Sequence, residues 1–490
     1  MKRLSLKNRV SIPALLRIQG FLLLIEGAFM LSVLPVTYFH HGINAYSMPF
    51  SALITFLTGF ILCFSTRRHK GETISPRDGV ITISLSWVIL SIFGGLPLLL
   101  SKSVPNFTDA FFETLSGFTT TGATILTKVE TVPKDIMLWR CMTQWLGGFA
   151  IIVFAVAILP YLSVGGMQLF MAEMNGITND KLHPRTIHTA KRLWAIYIVF
   201  TVMQMLLLWA GDMDWYDALC HSMTTISSGG FSTRTNSITS FSSYSQIVIL
   251  FFMALSGCNF TLLLLSVVKG PMVLLRNEEF KHYIFTILIV SLGIAVSLFV
   301  GEKTTVGNSL QDSFFSVIST ITTTGFYVCD YTLWPTALWI LLLCLMFIGS
   351  CSGSTSGGIK IIRHLVFVKN AGLEMKRTMH PNAVLPVKIN GKSISKSMNY
   401  KTMTFIFVYF IIFLIGFIIL RSMGLDFNSS IGASLATLSN IGTGVGVVGP
   451  YGTYAFMPQT VKWILCFFML LGRVELFTLL TLFSRNFWRR

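Results

Sequence analysis

Ten apolar runs, each long enough to cross about 30 Å of hydrocarbon, limit what this 490-residue chain can become. They are Ile18 to Phe39, Tyr46 to Thr66, Ile81 to Leu100, Trp145 to Gly166, Leu193 to Ala210, Tyr244 to Val268, Tyr283 to Val300, Tyr331 to Ile359, Thr402 to Leu420 and Trp463 to Ser484. The last is interrupted by Arg473 and Glu475. Lipid offers no hydrogen bonds to a backbone, so runs of this length are expected to be helices. With 53% hydrophobic and 12% charged residues and a mean hydropathy of +0.69, the chain is expected to be an all-α polytopic membrane protein and not a soluble enzyme. A basic stretch precedes the first run, but no small-residue cleavage site follows it, which argues against a cleaved signal peptide.

Charge placement gives an orientation. If both termini face the cytoplasm, the inside segments are 1–17, 67–78, 167–192, 269–282, 360–401 and 485–490. These hold 28 of the 37 Lys and Arg but only 7 of the 20 Asp and Glu, as the positive-inside rule requires. The net charge of +17 is therefore mainly a topology signal, and no nucleic-acid motif accompanies it. The eight cysteines are scattered, with no CxxC and no Cys/His cluster, so neither a metal site nor a disulfide framework is expected.

Between the runs one 14-residue unit recurs four times: DAFFETLSGFTTTG (109–122), DALCHSMTTISSGG (217–230), DSFFSVISTITTTG (312–325) and SSIGASLATLSNIG (429–442). Asp109, Asp217, Asp312 and Ser429 open the units as helix N-caps would, and every unit ends in Gly. About 12 helical residues reach ~18 Å, enough to enter a bilayer but not to cross it. Each unit is thus expected to be a re-entrant helix whose Ser/Thr/Gly tail returns as extended backbone. Such backbone is tolerated at that depth only where it is buried in protein or lines an aqueous path. Four tails around one axis would line a pore, with glycine freeing carbonyl oxygens to replace the hydration shell of a cation and four negative helix ends aimed at its centre.

FTTTGAT, SSGGFST, TTTGF and SNIGTG resemble the filter segments of the Trk/Ktr/HKT superfamily of cation transporters, and most closely its TrkH type. The resemblance covers nearly the whole chain. It implies an N-terminal helical pair with its linker (1–78), then four membrane-pore-membrane repeats (79–188, 189–279, 280–401 and 402–490) around a pseudo-fourfold pore. It also implies K⁺ as the transported ion, no other cofactor in this chain, and Thr121, Gly122, Gly229, Gly230, Thr324, Gly325, Ile441 and Gly442 as the selectivity filter. The second unit offers two adjacent glycines for the key position. Members with Ser at the first filter glycine favour Na⁺; Gly122 here implies K⁺. A homodimer in the bacterial inner membrane, contact with lipid, and a cytoplasmic TrkA-type regulator carrying nucleotide-binding domains are implied as well.

The third repeat contains GSCSGSTSGGIK, in which nine of the ten residues from 349 to 358 are Gly, Ser or Thr, a poor continuous helix. It lacks the GK[ST] ending of a P-loop. It resembles the family's intramembrane gating loop, with Gly349, Ser350, Cys351, Ser352, Gly353, Ser354, Thr355, Ser356, Gly357 and Gly358 as the gate and Arg473 beside them. An ion pair of Arg473 with Glu475 or another carboxylate is the structural alternative. Glu26 reads as packing or interfacial, and His221 has no evident partner in the sequence. The leading expectation is a gated K⁺ pore, with a Na⁺/K⁺ or H⁺-coupled symporter of the same fold as the alternative. An inverted-repeat transporter conflicts with units that all run in one sense, and a membrane enzyme would need His or carboxylate clusters at depth.

Overall fold

Small residues set the packing of the N-terminal helices. In the structure, a computed structural model describing residues 11–39, 46–67, 75–157, 183–302 and 305–488, α1 (Ile12–Ser32) and α2 (Ser47–Ser65) cross where Gly20 meets Gly59. A Cβ on Gly20 would lie 2.9 Å from the Gly59 carbonyl oxygen, and one on Gly59 would lie 2.8 Å from that of Gly20. Only hydrogen at both positions permits this approach. Gln19 fastens the pair to α3 (Pro76–Gly94), donating to the Thr82 carbonyl at 3.0 Å and to Ser86 at 2.9 Å. Ser75 and Asp78 open α3 with a reciprocal capping box.

Four short helices follow at intervals: α4 (Phe107–Phe118), α7 (Trp215–Ile226), α11 (Val306–Ile321) and α15 (Phe427–Leu438). Each stands between two flanking helices: α3 and α5 (Lys134–Ala157), α6 (His183–Trp209) and α8 (Ser243–Ser256), α10 (Glu278–Glu302) and α12 (Thr336–Met346), and α14 (Lys396–Ser422) and α16 (Gln459–Arg473). Nearly every residue of α4, α7 and α15 is buried. Only 28% of the apolar windows in α6, α10 and α14 is buried. The short helices are therefore the interior, and the long ones carry apolar side chains outward, as toward lipid.

The short helices start upstream of the caps expected from sequence. Asn106, Asp214, Thr305 and Asp426 accept from the backbone three residues on. Asp109 and Asp217 instead stand in the first turn, where their carboxylates are used elsewhere: Asp109 pairs with Lys462 at 2.6 Å and Asp217 with Arg234 at 3.0 Å. Ser429 lends its backbone N–H to Asp426, and its hydroxyl accepts from the Val447 N–H.

Six helices among the described residues are long and apolar enough to cross a membrane, seven if the pair α8 and α9 (Phe260–Lys269), bent by 96°, forms one span. The shortfall from ten has local causes. Three of the inner members are broken: α8 at Gly257, after which Asn259 caps α9; α12 at Met346, before the loop leading to α13 (Ile361–Met379); and α16 at Arg473, where Glu475 has φ of 67° before α17 (Leu476–Thr481). The end of the run expected over 145–166, residues 1–10, and most of the inside segment 167–192 lie outside the described residues. After α13, β1 (Lys388–Ile389) and β2 (Lys392–Ser393) form a small antiparallel hairpin.

Candidate functional site: a backbone ring and the loop beneath it

Each short helix ends in the same three-residue backbone turn. Thr120, Ser228, Thr323 and Asn440 have φ between 50° and 56°, and two residues later Gly122, Gly230, Gly325 and Gly442 have φ between 78° and 82°. Non-glycine residues rarely adopt the left-handed region, so four repeats of this pattern fix the register. Gly229 aligns with Thr121, Thr324 and Ile441, and Gly230 is the positive-φ glycine of the second segment.

The four segments close on one another. A Cβ added to Gly122 would collide with the Gly229 carbonyl oxygen, one on Gly230 with that of Thr324, one on Gly325 with that of Ile441, and one on Gly442 with that of Thr121. The order is first to second, second to third, third to fourth and fourth back to first. Both glycine properties are needed here, the positive φ and the missing Cβ. All eight residues expected at the filter are thus brought together.

Side chains hold the ring from outside. Thr119 and Thr121 pair through their hydroxyls at 2.8 Å, as do Thr322 and Thr324. Asn440 donates to Thr121 at 2.9 Å and to the Met469 carbonyl at 3.0 Å. Tyr454 donates to the Gly442 carbonyl at 2.7 Å, and Thr443 to that of Gly325 at 3.2 Å. Glu113 and Arg140, both buried, pair at 2.6 Å. Glu113 accepts from Thr124 and from the Ile125 N–H, Arg140 donates to the Ser232 carbonyl at 3.4 Å, and the Arg140 guanidinium lies 3.4 Å from the Phe231 ring centroid. His221 does have partners: its ring nitrogens face the Asp217 carbonyl at 2.8 Å and Ser232 at 3.0 Å. The sequence hides Glu113, Arg140 and Asn440 because each is a single polar side chain whose partners at Arg140, Ser232 and Thr121 lie 27, 92 and 319 residues away.

The segment Gly349–Gly358 leaves the helical path and returns to its start. Gly349 N–H donates to the Ile359 carbonyl at 2.9 Å, and Ile361 N–H to that of Ser350 at 3.2 Å. The loop so closed lies under the ring. Thr355 bonds Ser228 at 2.7 Å and the Ile226 carbonyl at 3.2 Å. Gly357 N–H donates to Thr323 at 2.8 Å, and a Cβ on Gly357 would lie 2.5 Å from the Ser439 carbonyl oxygen. Ser350, Ser354 and Ser356 bond one another, and Lys360 caps them. Cys351 N–H donates to the Gly257 carbonyl at 3.1 Å, Ser352 N–H to Glu279 at 2.6 Å, and Gly353 accepts from Phe260 N–H at 3.2 Å. The broken end of α8 is thus part of the loop's bed, a feature visible in sequence only as the small Gly257 and Asn259. Arg473 donates to the Thr355 carbonyl at 2.8 Å and to that of Gly147 at 3.0 Å. Its expected alternative partner Glu475 pairs with Arg363 at 3.1 Å instead. Glu26 is not interfacial. It is buried against Gly94, and neither of its oxygens has a hydrogen-bond partner among the described residues.

Residues 50–490 match the TrkH family, described as a cation transport protein. The chain belongs to the TrkH family. Relatives in Salmonella typhimurium and Escherichia coli K12, each a Trk system potassium uptake protein TrkH, are 40% identical over 97% of this chain and 99% of their own length. The crystal structure of the potassium transporter TrkH from Vibrio parahaemolyticus superposes with a TM-score of 0.89 at 34% identity, covering 98% of this chain and 100% of that one. TrkH proteins are ion transporters, not enzymes, and the apolar helices make this one a membrane protein.

Proposed function

We propose that the chain is the ion-translocating subunit of a potassium uptake system, passing K⁺ through the axis of the glycine ring. The closed circuit of four positive-φ glycines, each against the next segment's carbonyl, carries this reading. Carbonyl oxygens held at fixed spacing replace a cation's water shell, and four helix C-termini aimed at the ring favour positive charge. Flow is driven by the membrane potential, about 2.3 kcal/mol per charge per 100 mV.

On this reading the chain has a helical pair and four membrane-pore-membrane repeats, ten spans in all, with repeat boundaries moved to the helix starts at Pro76, His183, Glu278 and Lys396. The loop Gly349–Gly358 with Arg473 is the closed gate. Its support is that the loop contacts Ser228, Thr323 and Asn440 directly under three of the four ring segments. A regulator of the TrkA type would act on this gate from the basic cytoplasmic face. There Asn390 of the hairpin accepts from Glu278 N–H at 2.8 Å, one residue from the carboxylate that holds Ser352. The protein would sit in the bacterial inner membrane as a homodimer with both termini cytoplasmic.

The test is cation flux into liposomes containing purified protein, comparing K⁺, Rb⁺, Na⁺ and Li⁺. K⁺ and Rb⁺ should pass well ahead of Na⁺ and Li⁺. Gly325→Ser, which drives a Cβ into the Ile441 carbonyl, should reduce K⁺ preference by about tenfold or more. Parental selectivity in a folded Gly325→Ser protein would refute the ring as the filter.

A further inference from the structure

The four ring segments are not held alike. In the first and third, the residue before the glycine is Thr, and its hydroxyl pairs with a second Thr two residues earlier at 2.8 Å. In the fourth it is Ile441, packed among Met346 and Leu435. In the second it is Gly229, which has no side chain to pack or bond and is followed by another glycine. Two adjacent glycines make the loosest backbone of the four, since glycine loses the most conformational freedom on ordering.

Gln144, on α5 of the preceding repeat, occupies the space a side chain at position 229 would fill. A Cβ on Gly229 would collide with the Gln144 carboxamide. That carboxamide donates from Nε2 to the Gly229 carbonyl at 2.6 Å and accepts from the Phe231 N–H at 3.0 Å. The two bonds span one residue, as a neighbouring β-strand would, and the donor acts on the very oxygen that faces Gly122 in the ring. One turn earlier on the same helix face, Arg140 holds the Ser232 carbonyl. Gln144 is fully buried, and both polar atoms of its carboxamide are used in this way.

We infer that Gln144 is a positioning residue for ion discrimination: it fixes the Gly229 carbonyl against the ring and so sets the size of the site on the second segment's side. This rests on the reading of the ring as the selectivity filter. Without the carboxamide, the Gly229–Gly230 backbone is free to let its carbonyl approach a smaller ion, and the advantage of K⁺ over Na⁺ and Li⁺ falls. The glycine at 229 is then a consequence of Gln144, not an independent requirement of the filter.

The experiment compares parent, Gln144→Met, Gly325→Ser and the double variant Gln144→Ala with Gly229→Ala in liposome flux, with size-exclusion profiles and K⁺-dependent thermal shifts. Met keeps the length of Gln but removes both hydrogen bonds. The expected result is a folded Gln144→Met protein whose Na⁺ and Li⁺ flux rises about tenfold relative to K⁺, with a smaller thermal shift on adding K⁺. A general packing role would lower the melting temperature without moving either ratio. Parental selectivity in folded Gln144→Met, alongside lost selectivity in Gly325→Ser, overturns the inference and leaves the filter reading standing. Parental selectivity in both overturns the filter reading as well. If Gln144→Met fails to fold, the double variant decides, because the new methyl fills the vacated space: folded and unselective supports the inference, and folded and selective overturns it. Failure of both to fold also overturns it, since Gln144 would then have no role separable from folding.

Discussion

Glu113 and Arg140 are a fully enclosed ion pair that touches two ring segments at once, the first through Ile125 N–H and the second through the Ser232 carbonyl. Burying two charges is costly, and such a pair is worth keeping only when further hydrogen bonds satisfy both ends. Here they do. Arg140→Met would leave the Glu113 carboxylate enclosed without its counter-charge, which is worth about 3–5 kcal/mol of destabilisation. Adding Glu113→Gln should recover part of that loss. A thermal melt of the two variants checks it: a double variant less stable than Arg140→Met alone would contradict the account.

At the scale of elements, the loop between α12 and α13 is held by groups from many other segments, and Arg473 is the only cation among the described residues that reaches its apex carbonyl at Thr355. Arg473→Ala should raise K⁺ flux per folded protein by severalfold, and deletion of Gly353 to Gly357 should raise it further. Flux that falls or stays level in well-folded variants would place closure elsewhere. The repeated units and this loop were legible in the sequence because Gly and Ser inside an apolar run violate helix propensity, and that violation is local. The first two helix starts were misplaced by three residues because Asp109 and Asp217 are as capable of capping as Asn106 and Asp214, and only Lys462 and Arg234 decide between them. Gln144, Glu113 and Glu279 were not legible. Each looks like an incidental polar residue until folding brings it to Gly229, Arg140 or Ser352.

For the whole molecule, the face that the proposed orientation turns to the cytoplasm offers exposed Lys376, Lys388 and Lys392, whereas Arg377 is committed internally, bonding Asn370 at 3.2 Å and the Leu385 carbonyl at 2.5 Å. Reversing the three lysines, with Arg377 kept, should weaken capture of a cytoplasmic Trk regulator by about tenfold, most at low salt, where exposed charges are screened least. Unchanged binding across salt concentrations would remove this surface from consideration. The ring itself has a consequence for how the protein is made. Gly442 meets Thr121, and Asn440 bonds Thr121 across 319 residues, so the circuit is completed only when the last quarter of the chain is in the membrane. Contacts this distant in sequence form late. If the ring is the ion path, as proposed, a ribosome halfway through the message has inserted no selective pathway, and the cell would not leak through its unfinished copies.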